Sequence, residues 1–248
     1  IPARWGSSRF PGKPLVNIGG KPMIIRVVEQ CLQSSAHKVV VATDDERIAK
    51  PLIAYGAEVH MTSDKHLNGS SRCAEVLTIL QNRGESYDWL INVQGDEPFI
   101  DPKAIDELIS AGNESHAAVL TRLIEETAGQ VQNPNVVKAV IGTGKGKSVP
   151  VLYFSRAVIP YIREKGLEAT FYRHIGIYAF KCSRLHELTA LPPSKLESVE
   201  HLEQLRWLEN GYAIEAVIAK DQDTAPAVDH PDDLIHVDNF LKTHPHLK

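Results

Sequence analysis

Short β-branched runs alternate with amphipathic stretches through the first half of this chain, and that rhythm restricts the fold more than any other feature. Lys38-Val39-Val40-Val41-Ala42-Thr43 reads as a buried strand, and Asp44 or Thr43 can cap a helix that follows through about Tyr55. Ala57 to Met61 reads as the next strand. Ser70 to Asn82 is helical, with Cys73, Val76, Leu77 and Leu80 on one face. Asp88 to Val93 is another buried strand, and Asp101-Pro102 opens a helix with proline at its first position. Such βαβ alternation implies an α/β fold with a mixed, mostly parallel sheet and right-handed crossovers. With 248 residues, 43% of them hydrophobic, there is enough apolar side chain for one large α/β domain or one domain with a small lobe.

The second half changes rhythm. Val136 to Ile141 and Ser148 to Phe154 read as strands joined by a glycine-lysine turn, and Tyr172 to Lys181 as a longer strand. Leu196 to Glu209 reads as one helix with apolar residues at 196, 199, 202, 205 and 208, closed by Asn210-Gly211. Ala213 to Ala219 is a strand and Pro231 to Leu241 a closing helix. No internal repeat or low-complexity linker divides the chain. A single domain over 1–248 is expected, with 142–196 forming a lobe or dimer arm.

A net charge of -4 and a pI of about 6.3 argue against a strongly basic nucleic-acid binder. No apolar run approaches the ~20 residues of a membrane helix, and no secretory core opens the chain. Three scattered cysteines, Cys31, Cys73 and Cys182, form neither a disulfide framework nor a zinc site, which fits a cytoplasmic protein. Ile1-Pro2-Ala3-Arg4 reads as the end of a strand whose first residues are expected to precede Ile1.

Charge is unevenly spread. From Ile1 to Val28 there is no Asp or Glu, while Arg4, Arg9, Lys13, Lys21 and Arg26 alternate with Gly6, Gly12, Gly19 and Gly20. The loop from Arg4 to Pro14 directly follows a strand, and ligands of open α/β sheets sit at the carboxyl ends of strands. Glycines let backbone N–H groups approach phosphate oxygens, and Arg9 and Lys13 can neutralise them. A solvated surface turn is the alternative. Further on, Asn92-Val93-Gln94-Gly95-Asp96-Glu97-Pro98 ends a strand and delivers Asp96 to the same sheet edge as that loop. Asp96 can hold a magnesium ion or merely cap the next helix, and Asp229 before Pro231 has the same two options. Asp44 and Asp45 read as helix-capping acids.

R-x-x-S-S-R-F-P-G-K-P resembles the signature of sugar nucleotidyltransferases. With P-A-R before it and P-L-x-x-I-G-G-K-P-M-I after it, the opening resembles the 3-deoxy-manno-octulosonate cytidylyltransferase family. The resemblance extends through Val41-Ala42-Thr43-Asp44-Asp45, the Asn92–Pro98 segment, Asn133–Lys138, Tyr153–Arg156, Arg173–Tyr178, Leu202–Arg206 and Val228–Pro231. It implies a Rossmann-like sheet of the nucleotide-diphospho-sugar transferase type with a smaller β-containing dimerisation lobe. It also implies a homodimer that couples CTP to a 3-deoxy-ulosonic acid for lipopolysaccharide biosynthesis. Asp96 and Asp229 then become Mg²⁺ ligands, with Arg9 and Lys13 as catalytic cations. Ala3, Arg4, Arg9, Lys13, Gly69 and Arg72 are implied on the nucleotide side. Gln94, Arg156, His174, Glu203 and Gln204 are implied around the sugar. Taken alone, His174 also reads as a satisfied strand histidine and Glu203 as part of a solvated helix face.

One departure stands out. Where the family has Gly-Thr-(Asp/Glu)-Arg, this chain has Gly69-Ser70-Ser71-Arg72, so an 8-amino variant of the sugar acid is an alternative substrate. A sialic acid or sugar 1-phosphate nucleotidyltransferase, a non-catalytic nucleotide sensor and a glycosyltransferase are the other readings. Gly142-Thr143-Gly144-Lys145-Gly146-Lys147-Ser148 looks like a phosphate loop, but Ile141 stands where the first Walker glycine belongs and a strand follows. It is expected to be a hairpin turn. Trp207 is expected to pack rather than touch a cofactor.

Overall fold

A computed structural model describes all residues except 7–9, 127–128, 165, 220–224 and 248, and omits the side chain of residue 246. In chain order the strands and helices are β1 (Pro2–Ala3), β2 (Asn17–Ile18), β3 (Lys21–Pro22), α1 (Met23–Leu32), β4 (Val40–Thr43), α2 (Glu46–Tyr55), β5 (Glu58–Met61), α3 (Gly69–Asn82), β6 (Trp89–Asn92), α4 (Pro102–Gly112), β7 (Val119–Glu126), β8 (Lys138–Ile141), β9 (Val149–Ser155), β10 (Phe171–Lys181), α5 (Cys182–Ala190), α6 (Lys195–Glu200), α7 (Gln204–Glu209), β11 (Ile214–Ala219) and α8 (Asp233–Thr243). They fall into two compact units, Ile1–Asp106 with Asp223–Lys248, and Glu107–Gln222.

In the first unit β1, β4 and β5 form a parallel sheet, with Ala3 opposite Thr43 and Thr43 opposite Met61. Alternate residues of β4 point to opposite faces. Val41 joins a core with Ala3, Ile24, Val28, Ile48 and Leu52, which seats α1 and α2. Ala42 joins Val76 and Leu80, which seats α3 on the other face. Both faces of the strand are therefore covered, as its unbroken apolar run requires. A further cluster of Ile18, Met23, Phe99, Val228, Val237 and Leu241 anchors α8. The buried Arg26 guanidinium donates to the carbonyls of Ile18, Gly19 and Leu247, so this apolar helix carries its charge at no unpaired cost.

In the second unit β7 pairs antiparallel with β10 and parallel with β11. β9 pairs antiparallel with β11 and with β8, and β8 returns to β10, so the pairing closes on itself. The expected sheet is mixed, as found, but its mostly parallel character is confined to the first unit. The hairpin of β8 and β9 is why: a short turn can only join antiparallel neighbours. The glycine-lysine segment is that hairpin turn.

Two local expectations are corrected. Asp45 rather than Asp44 or Thr43 caps α2, its Oδ1 accepting from the Arg47 N–H at 2.8 Å. The expected helix over 196–209 is two helices, broken at His201 with φ 53°. A strict three-residue spacing drifts round a helix of 3.6 residues per turn, so Leu196 and Leu205 could not share one face. The break resets the phase: Val199 stays exposed while Leu202, Leu205 and Trp207 are buried. Elements α1, β7 and α5 were not anticipated. Among the described residues no helix is long and apolar enough to cross a membrane. The three cysteines are buried.

Candidate active site

The first unit brings its chemistry to the carboxyl ends of β1, β4 and β6. Chain exit from β6 is tight. A Cβ on Gly95 would lie 2.8 Å from the Pro2 carbonyl oxygen and 3.3 Å from Ile24 Cδ1, so only glycine lets this turn pass against β1. Asp96 is thereby placed beside the opening loop. The segment after residue 224 is drawn to the same place, because the Val228 N–H donates to the Asp96 carbonyl at 3.1 Å and Val228 is fully buried. Asp229 follows, and the Asp233 carboxylate accepts from the Asp229 and His230 N–H groups, fixing the turn into α8.

Lys13 completes the cluster. Its Nζ lies 2.7 Å from Asp96 Oδ2 and 3.3 Å from Asp229 Oδ1, so one ammonium is shared by carboxylates from distant parts of the sequence. Around them a cleft is lined by Ala3, Arg4, Lys13, Gly69, Arg72, Gln94, Asp96 and Asp229, together with His66 and Asn68. Of the residues expected on the nucleotide and metal side, Arg9 lies outside the described residues and all the others line this cleft.

Two oxygen-donor carboxylates at the mouth of a basic, glycine-lined cleft suit a hard cation that takes its remaining ligands from phosphate oxygens and water. Among the described residues no group of three His, Cys, Asp or Glu side chains forms a metal cage by itself. The Lys13 ammonium sits at the point where a cation's charge is wanted. The donor set thus fits magnesium carried in with a nucleotide.

Arg72 is 2% exposed, and its guanidinium is occupied within the protein. It donates to Asp44 at 2.7 Å, to Thr62 Oγ1 at 2.6 Å and to the Ser63 carbonyl. Asp44, read from sequence as a capping acid, instead holds this wall of the cleft. His66 was missed as well. Its Nε2 meets Glu75 Oε2 at 2.5 Å and its Nδ1 meets Ser71 Oγ at 3.1 Å, while Asn68 caps α3 through the Ser71 N–H. Both imidazole nitrogens are engaged inside the wall. No sequence periodicity links His66 to Glu75; only the turn into α3 joins them.

Arg156, His174, Glu203 and Gln204 belong to the second unit. The Arg156 N–H and Nε–H donate to the Glu200 carboxylate and carbonyl at 2.9 and 2.7 Å, and its Nη1 to the Pro134 carbonyl at 3.0 Å. His174 Nε2 meets Thr121 Oγ1 at 2.9 Å, and its ring packs between Phe154 and Tyr178 at 5.0 and 5.3 Å. Gln204 Oε1 accepts from the Tyr178 hydroxyl at 3.0 Å, while its buried Nε2 has no hydrogen-bond partner among the described residues. Burial, and then the charge of Glu203, push the Tyr178 phenol well up. Trp207 is fully buried edge-on to Tyr178 and Phe180, in packing as expected.

Desolvation holds the His174 imidazole down to about 3. The unfolded chain takes up that proton near the ordinary value of 6.5 and the folded chain does not, so stability is complete above 6.5 and declines as pH falls toward 3. The slope from this group is up to about 1.4 kcal/mol per pH unit. His174→Gln is expected to unfold in urea with a shallower pH dependence than the parent between about pH 5 and 7; parallel curves would refute it.

The sequence model of the cytidylyltransferase family matches residues 1–217. A 3-deoxy-manno-octulosonate cytidylyltransferase of Parabacteroides distasonis is 45% identical, with 97% of this chain and 96% of the relative covered. One of Chlorobium limicola is 44% identical, with 98% and 96% covered. Among solved structures, CMP:2-keto-3-deoxy-manno-octonic acid synthetase complexed with CTP superposes with a TM-score of 0.89 at 38% identity, covering 98% of this chain and 97% of that one. The chain belongs to the cytidylyltransferase family, among its 3-deoxy-manno-octulosonate cytidylyltransferases.

Proposed function

We propose that this protein transfers CMP from CTP to the anomeric hydroxyl of 3-deoxy-manno-octulosonate and releases pyrophosphate, as a magnesium-dependent step toward lipopolysaccharide in the cytoplasm. The observation that carries this reading is the single ammonium of Lys13 shared by Asp96 and Asp229 in the cleft at the strand ends. In the reaction the sugar oxygen bonds to the α-phosphorus, the bond from that phosphorus to pyrophosphate breaks, and the hydroxyl proton passes to water. Lys13 and Arg9 hold the phosphates, and Lys13 screens two carboxylates that would otherwise repel a polyanionic nucleotide. Asp96 and Asp229 would hold magnesium, which would supply Lewis-acid charge for displacement at phosphorus. Arg72 and Gly69 shape the nucleotide side, with Ala3 and Arg4. Gln94, Arg156, His174, Glu203 and Gln204 contact the sugar acid, Arg156 meeting its carboxylate and Gln204 Nε2 a hydroxyl. One catalytic domain over 1–248 forms a homodimer through the arm at 142–196.

Ser71 does not favour the 8-amino sugar. Its hydroxyl is bonded to His66 on the nucleotide side of the first unit. The test is to incubate the protein with CTP, Mg²⁺ and each of several ulosonic acids and sugar 1-phosphates, and to identify products by mass. The CMP adduct of 3-deoxy-manno-octulosonate is expected to form fastest, with none from sugar 1-phosphates and none after chelation of the metal. Faster turnover of the 8-amino acid, or of a sialic acid, would overturn the assignment.

A further inference from the structure

Trp5 lies in the opening loop, and the Arg47 guanidinium carbon sits 3.7 Å from the centroid of its ring. Arg47 is itself clamped by Asp45, Nε to Oδ1 at 2.9 Å and Nη2 to Oδ2 at 2.5 Å. The same Asp45 carboxylate caps α2, so the clamp is tied to a rigid element. The hydrogen bonds from Arg47 hold that carboxyl down to about 2. The benzo edge of the Trp5 ring also lies close to the end of the loop. A Cβ added to Gly12 would meet it at 3.0 Å, and the Gly12 N–H donates to the Trp5 carbonyl at 3.2 Å. Gly12 adopts φ 72°, in the left-handed region, and is the residue from which Lys13 enters its 3-10 turn. Trp5 and Leu15, on either side of the loop, pack on the same core beneath the sheet.

We propose that Arg47 and Trp5 form a strut that positions Lys13 for the triphosphate, so that Arg47 is a positioning residue of the nucleotide site although it lies outside the cleft. The contact path runs from Asp45 through Arg47, the Trp5 ring and Gly12 to the ammonium between Asp96 and Asp229, entirely within the first unit. Its strength is bounded by exposure. Arg47 is more than half exposed, and a cation over an indole at such a site changes an equilibrium by about two- to fivefold. The proposal rests on the nucleotide assignment above.

The experiment is CTP binding by calorimetry, in the absence of sugar, for the parent, Arg47→Ala, Lys13→Ala and the double variant. Arg47→Ala is expected to weaken CTP about two- to fivefold, with Arg47→Lys recovering at least half of the loss. In the Lys13→Ala background, Arg47→Ala is expected to cost nothing more, because the strut acts through that ammonium. Trp5→Leu, which breaks the same path one step nearer Lys13, is expected to repeat the pattern, with melting temperature as the check on folding. An unchanged affinity in Arg47→Ala, or the same loss in both backgrounds, overturns the strut while leaving the nucleotide assignment standing. A parent protein that does not bind CTP takes down both.

Discussion

Asp96→Asn is expected to lower turnover at least about a hundredfold while leaving the fold intact. Asp96 and Asp229 are 30% and 52% exposed at the side chain, and ion pairs at such exposure contribute roughly 0–1 kcal/mol to stability. Neutralising Asp96 therefore costs little in folding and relieves some repulsion of the nucleotide. On the proposed assignment, what it removes is one of two hard donors for the divalent ion. Apparent affinity for Mg²⁺ is expected to fall with turnover, while CTP binding without metal is kept or strengthened. Asp229→Asn should behave alike, and the double variant should be no worse than about the poorer single one, since both carboxylates serve one ion. Steady-state pyrophosphate release across Mg²⁺ concentrations decides it. Near-parental turnover of Asp96→Asn would remove the metal assignment.

That pair also marks how far the sequence could be read. Asp96 was delivered to the right sheet edge by the β6 pattern and the glycine exit, which are local features. Asp229 was paired with it only through family resemblance; the physical cause is the buried Val228 and its hydrogen bond to the Asp96 carbonyl, a contact no spacing announces. In the first unit β4 was legible as a continuous apolar run, and α2 by the Gly56 that follows it as a stop signal. Strand β7 was not. It has Thr121 and Arg122 in its middle, and their polarity is absorbed by partners that only the fold supplies, the Ile177 carbonyl for Thr121 and Glu107 for Arg122. Helix α5 begins directly where β10 ends, with no capping side chain to announce it. The strut from Arg47 to Trp5 was invisible for a different reason: Asp45 was read as a helix cap, which it is, and one carboxylate doing two jobs leaves no separate trace in the sequence.

The second large effect concerns a residue that touches no expected substrate. Lys138 is fully buried, and its ammonium donates to the carbonyls of Asn133 at 3.1 Å, Val136 at 2.6 Å and Arg156 at 2.5 Å. A lysine has three N–H donors, and here each finds a main-chain acceptor, which is why a charge can stay at this depth. Desolvation lowers its pKa, with the charge of Glu200 opposing the shift. Lys138→Met would fill the same space but leave three carbonyls without a donor, at about 1–3 kcal/mol each, although relief from burying a charge offsets part of this. A net loss of about 3 kcal/mol and a melting temperature lower by roughly 6–10 °C are expected for a chain of this size. The damage should not stop at stability. Lys138 ties the Asn133–Val136 turn to the Arg156 backbone, and Arg156 in turn leans on the Pro134 carbonyl and on Glu200. Loosening that array should raise the KM for the sugar acid more than the KM for CTP, since Lys13 and its carboxylates lie in the other unit. A melting temperature within about 2 °C of the parent would show that the three acceptors find other donors. Equal rises in both KM values would show that Lys138 does not act through Arg156.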